Sequence, residues 1–140
     1  MVLALASAAR TPSGSQVVLL PDTGRVRALL AQLDVTAAAT ESSDTLDVFL
    51  QSTLDGQTWD DFVHFTQVLG NGGVKSFLAK WVRDVSPTVA LAAPKDGTLA
   101  AGVNQGPVGN TWRVKRTIVD GGGSPTSFTF SLGLLPVYER

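Results

Sequence analysis

The residues of this chain that could do chemistry are few and poorly spaced for it. The single histidine, His64, lies between Val63 and Phe65, and there is no cysteine. Zinc therefore finds no second imidazole and no thiolate. Asp60-Asp61 is the one adjacent acidic pair. Neighbours on a strand point to opposite faces, which spoils paired-carboxylate acid–base chemistry. The run Gly121–Gly123 precedes no helix pattern, so it turns the chain instead of cradling phosphate. No nucleophile elbow, P-loop or dinucleotide fingerprint occurs. These residue types predict no enzyme, no catalytic residue, no cofactor and no metal. One stretch keeps a binding option open: Asp55-Gly56-Gln57-Thr58-Trp59 sets a large ring beside an acidic turn. Trp59 could stack on a sugar, or it could close the end of the core, and the turn setting favours the structural role.

Stepping outward, Trp59 belongs to the best-formed element of the chain, Thr45–Phe65. Leu46, Val48 and Leu50 alternate with Asp47, Phe49 and Gln51, the period of two that a sheet requires. Asp55-Gly56 then offers a residue that tolerates positive φ followed by one that prefers it. Arg25–Val35 reads as a long strand, with Arg27, Leu29, Ala31, Leu33 and Val35 on one face and Val26, Ala28, Leu30, Gln32 and Asp34 on the other. A helix over Val26–Leu33 competes, but the flanking turns favour strand. Gln16–Leu20, Val74–Val85, Thr88–Ala92 and Thr98–Val103 are further strand candidates, separated by Pro21–Gly24, Gly70–Gly73, Ser86-Pro87 and Pro94–Gly97. Trp112, Val114, Arg116 and Ile118 alternate in the next strand. Asp120–Pro125 turns the chain, and Phe128, Phe130 and Leu132 point inward from the strand that returns. The segments around 33–48 and 118–129 echo one another as two long hairpins, which could form the facing centres of two sheets. About nine or ten strands and no dependable helix predict an all-β antiparallel sandwich, jelly roll or barrel-like domain.

Composition agrees. The 140 residues fit a single domain over 1–140, and 44% hydrophobic against 16% charged argues against disorder. Net charge is −1 and the pI about 5.7, which removes the electrostatic case for nucleic acid. No run approaches a membrane span. Residues 1–14 are expected to form an extended arm or an edge strand, and 133–140 a short tail. MVLALASAA lacks the basic leading region of an export signal and is expected to stay with the mature chain.

Two resemblances follow from the hairpins. The Asp55–Trp59 turn is similar to a Ser-x-Asp-Gly-x-x-Trp segment of discoidin-like domains, with Ser52 one residue too far back. More broadly, Leu33-Asp34-Val35-Thr36, Thr45-Leu46-Asp47-Val48, Leu54–Trp59, Trp112-Arg113-Val114 and Ser124–Phe130 resemble small β-sandwich virion proteins of tailed bacteriophages. The likeness spans Arg25–Leu132 and fails over Gln67–Pro107. It implies a capsid decoration protein assembled in the bacterial cytoplasm, binding the major capsid protein as a homo-oligomer, a trimer for preference, without nucleic acid or membrane. The alternatives are a carbohydrate- or receptor-binding module of a head fibre or tail appendage, and a tail-tube or head-completion component. On this reading the contacts come from the termini: Val2, Leu3, Leu5, Leu134, Leu135, Val137 and Tyr138.

Overall fold

The computed structural model describes residues 1–83 and 92–140. Its strands are β1 (Val2–Arg10), β2 (Gly14–Val17), β3 (Val26–Ala37), β4 (Thr45–Thr53), β5 (Asp60–His64), β6 (Val68–Leu69), β7 (Lys75–Val82), β8 (Gly102–Val103), β9 (Thr111–Val119) and β10 (Phe128–Tyr138). A 3-10 turn, Thr23–Arg25, precedes β3. One antiparallel sheet has the order β1-β10-β3-β7 and the other β2-β9-β4-β5-β8, with β6 paired to β4. The protein is an all-β sandwich. The expected Ser86-Pro87 break and all but the last residue of the expected strand Thr88–Ala92 lie outside the described residues.

The alternation read from the sequence builds the core. Leu29, Ala31, Leu33 and Val35 of β3 face Leu46, Val48 and Leu50 of β4 across the sheets, joined by Phe128, Phe130, Leu132 and Leu134 of β10. Trp81 and Trp112 sit at the centre, 6.1 Å apart and edge to face, each against Phe62. Phe62 reaches them because a bulge shifts the β4–β5 register between Leu50 and Gln51, so Phe62 and Val63 are both buried.

Several expectations are corrected. The pairs β3–β4 and β9–β10 are not hairpins. Each connection crosses from one sheet to the other, and the strands pair β3 with β10 and β4 with β9. The four strands do form the two facing centres, but as arches spanning the roughly 10 Å between packed sheets. The N-terminal segment is an edge strand, paired Val2↔Leu134 through Arg10↔Phe128. Residues 133–138 continue β10 as strand, so the tail shrinks to Glu139-Arg140. Pro136 is tolerated there because β1 pairs only as far as Leu134, and no β1 ladder bond is lost beyond it. At Asp55-Gly56 only the glycine takes positive φ, 77°. Asp55 acts through its side chain, accepting the N–H groups of Gln57 and Thr58 at 2.8 and 2.7 Å. The Asp-Gly step with both φ values positive is Asp96-Gly97, at 50° and 93°.

Candidate functional site

The two outer faces of the sandwich differ. On the five-strand path, the chain covers its own sheet. Phe49 and Gln51, expected on the outward face of β4, are buried beneath the segment that follows Pro94. Asp61, 1% exposed, accepts the backbone N–H groups of Gly97, Thr98 and Leu99 at 2.8–3.0 Å and the Gln51 amide at 2.6 Å. His64 stacks on Phe49 with centroids 4.0 Å apart. Its Nε2 meets the Asp47 carboxylate at 2.8 Å, and its Nδ1 meets the Leu99 carbonyl at 2.7 Å. Nε2 thus fastens β5 to β4, and Nδ1 fastens β5 to the loop. Asp60 points the other way to pair with Lys95, so the acidic pair is split as expected.

Trp59 shares this outer side. The period of two places it with Asp61, not with Phe62, so it does not close the core. It is half-buried, and the Arg113 guanidinium lies 4.1 Å over its ring. Arg113 is held there by Gln51 Oε1 at 2.6 Å and Asp96 at 3.3 Å. Gln57, Thr58, Lys95 and Asp96 complete a groove of about 410 Å³. One ring face is therefore already occupied by a cation, which leaves only the other for a stacked sugar. Asp96 is drawn below the usual carboxylate range, first by its hydrogen bond from Lys115, and the Arg113 guanidinium is lowered by partial burial.

The outer face of the other sheet carries an apolar patch at one end and a polar cluster at the other, where Gln32 and Ser76 donate to Asp34. β10 and β3 align Leu135 with Leu30 and Val137 with Ala28, while β3 and β7 align Gln32 with Leu78 and Ala28 with Val82. Leu3 of β1 sits opposite Gly133. Leu78 is 78% exposed, Leu3 58% and Leu135 45%. Met1, Leu30, Leu78 and Leu135 ring a depression of about 150 Å³, floored at Gly133, where a Cβ would stand 2.6 Å from the Met1 sulfur. Together with Val137, these side chains expose on the order of 600 Å², at the upper end for an ordinary monomer.

The β7 edge of this sheet is blunted by a side chain, the Gln105 amide meeting the Val82 N–H and the Lys80 carbonyl. Arg10 fills the bulge between β1 and β10, donating to the carbonyls of Ala6, Ala8 and Phe130 and lying over the Phe130 ring.

The seven residues expected to make contacts divide accordingly. Leu3, Leu135 and Val137 lie on the apolar face. Val2 is exposed at its margin. Leu5 and Leu134, at 2% and 0% exposure, are core. Tyr138 is tied to its own chain, its hydroxyl donating to the Pro21 carbonyl at 3.0 Å. Sequence reasoning missed Met1, Leu30 and Leu78. The available signal was the second face of Arg25–Val35, which is too apolar to be plainly solvated. No family model, curated protein or solved structure matches the chain. Among the described residues no helix is long and apolar enough to cross a membrane.

Proposed function

We propose that this is a structural virion protein of a tailed phage, a capsid decoration protein that seats the outer face of its β1-β10-β3-β7 sheet on the major capsid protein. The observation that carries the docking reading is the apolar face itself. Its exposed area is most of the roughly 800 Å² that each partner contributes to a standard interface. The sequence resemblance supplies the virion setting. A carbohydrate-binding role is the weaker reading, because Arg113 already covers one face of Trp59.

The mechanism is mechanical. Each copy removes an apolar patch from water across a subunit contact. Many copies, assembled as oligomers, reinforce one another through multivalency.

The test is co-sedimentation with expanded capsid shells of the phage that encodes the protein. Wild type is expected to bind at micromolar concentration and to raise the shell melting temperature. The double variant Leu78→Asp/Leu135→Asp should bind at least about 100-fold more weakly with its own fold intact, since each buried leucine contributes roughly 1.5–3 kcal/mol. Absence of wild-type binding refutes the decoration role. Undiminished binding by the double variant refutes the face.

A further inference from the structure

At one pole of the sandwich the two arches meet. Glu41 and Asp44 lie in the β3–β4 arch, Asp120 opens the β9–β10 arch, and their carboxylate oxygens lie within 4.8 Å of one another. Asp44 is 1% exposed, yet its Oδ2 has no hydrogen-bond donor. Its Oδ1 accepts the Gly121 N–H at 3.0 Å. The ion pairs among the described residues involve Asp47, Asp60 and Asp96, so no cationic side chain answers these three acids. A buried carboxylate oxygen left without a donor is costly, and two like charges beside it add to the cost. A divalent cation removes both penalties.

We propose that Glu41, Asp44 and Asp120 bind a Ca²⁺ ion that clamps the two arches together. The donor set is all carboxylate oxygen, which suits a hard cation and not zinc or copper. Oxygens that share one Ca²⁺ at 2.3–2.6 Å stand at most about 5 Å apart, as these do. Mg²⁺ would need a tighter, near-octahedral set at about 2.0–2.1 Å, which suits oxygens spread up to 4.8 Å apart less well than Ca²⁺ does.

The backbone is already arranged around the acids. Gly122 N–H donates to Asp120 at 3.2 Å, Ser124 N–H to Glu41 at 3.3 Å, and Gly70 N–H to the Asp44 carbonyl at 2.8 Å. Gly70 lies so close that a Cβ would stand 1.9 Å from the Glu41 carbonyl oxygen. The β6–β7 turn is thereby drawn against the pole. Asp120 is exposed and Glu41 half-buried, so one side stays open to water. Such a half-open site belongs with the weaker Ca²⁺ modules, with Kd on the order of 10⁻⁴–10⁻³ M. The site is at the pole, away from the apolar face, and does not depend on the docking role.

The experiment is calorimetric titration of the intact protein with CaCl₂, alongside thermal unfolding in about 5 mM CaCl₂ or EDTA. Saturable binding of one equivalent and a higher Tm in calcium are expected. Asp120→Asn and Glu41→Gln alter accessible side chains and leave the buried Asp44 in place. Each should weaken binding at least about tenfold, and the double variant should lose the Tm response. Three results would overturn the site: no saturable binding up to about 10 mM, an equal Tm rise in MgCl₂ or in NaCl of matched ionic strength, or wild-type affinity in the double variant.

Discussion

Asp61→Ala tests how the loop after Pro94 is held over its sheet. The wild-type carboxylate is 1% exposed and takes three consecutive backbone N–H groups, from Gly97, Thr98 and Leu99, as well as the Gln51 amide. Alanine orphans all four donors. A buried donor without a partner costs roughly 1–3 kcal/mol, and bonds to a charged acceptor lie at the upper end. The Gln51 amide is buried with its acceptor and bears the full penalty. The three N–H groups are only partly buried, and water admitted by loop opening repays some of their loss. The net expectation is about 3–5 kcal/mol, among the larger single-site effects. Asp61→Asn keeps the shape but turns one acceptor into a donor facing N–H groups, and should cost about 2–3 kcal/mol.

Urea unfolding gives the magnitude, and amide hydrogen exchange gives the mechanism. Protection at residues 97–99 should fall in Asp61→Ala well before that of β4 and β9. The reasoning is refuted if Asp61→Ala costs less than about 1 kcal/mol while these amides stay protected. The loop would then be held by its other contacts, of which His64 to Leu99 and Lys115 to Asp96 are the chief ones.

Two further outcomes follow from the same structure. Trp112→Ala removes a fully buried indole whose N–H donates to the Gly109 carbonyl at 2.7 Å, and should cost about 3–5 kcal/mol in denaturant unfolding; Trp59→Ala, outside the core, should cost under about 1.5 kcal/mol. Asp55 is held well below the usual carboxylate range by the N–H groups of Thr58 and Gln57, so its contribution is complete above the unfolded value near pH 4 and is lost as pH falls through the lower folded value. The Tm deficit of Asp55→Ala should accordingly be constant from about pH 7 to pH 5 and shrink below about pH 4.

The parts of the fold legible in the sequence are those governed by local period and local turn chemistry. Leu46, Val48 and Leu50 announce the inward face of β4, and Asp55-Gly56 announces the hairpin β4–β5, the one hairpin among the described residues. What local pattern could not supply is which sheet a strand joins. Ala38–Asp44 and Asp120–Ser127 carry the turn residues of hairpins, yet they arch between sheets, because the choice rests on partners more than 80 residues away, such as β10 for β3. The outward burial of Phe49 and Gln51 was hidden for a similar reason. Their cover is a loop some 45 residues later, held in part by its backbone N–H groups on Asp61. Backbone donors leave no mark in a sequence. The Glu41–Asp44–Asp120 cluster escaped notice because its members lie in two arches that only the sandwich brings together. The apolar face was partly visible, since Leu30 stood on a strand face that should have been polar, but Leu78 and Met1 join it only through register.

These features make the sandwich two-sided in a physical sense. The β2-β9-β4-β5-β8 sheet spends its outward polar groups on its own loop: Asp61 on three N–H groups, His64 on Leu99, and Lys115 and Arg113 on Asp96. That face has little unsatisfied chemistry to offer a partner, and covering it further would gain little. The opposite sheet keeps Leu3, Leu78, Leu135 and Val137 in water at a standing cost, while Gln105 blunts its β7 edge. An exposed apolar patch of this kind favours a complementary surface laid flat upon it. That physical asymmetry is the reason we propose the β1-β10-β3-β7 face for docking, while Trp59, the residue most suggestive of a ligand in the sequence, holds Arg113 against its own chain.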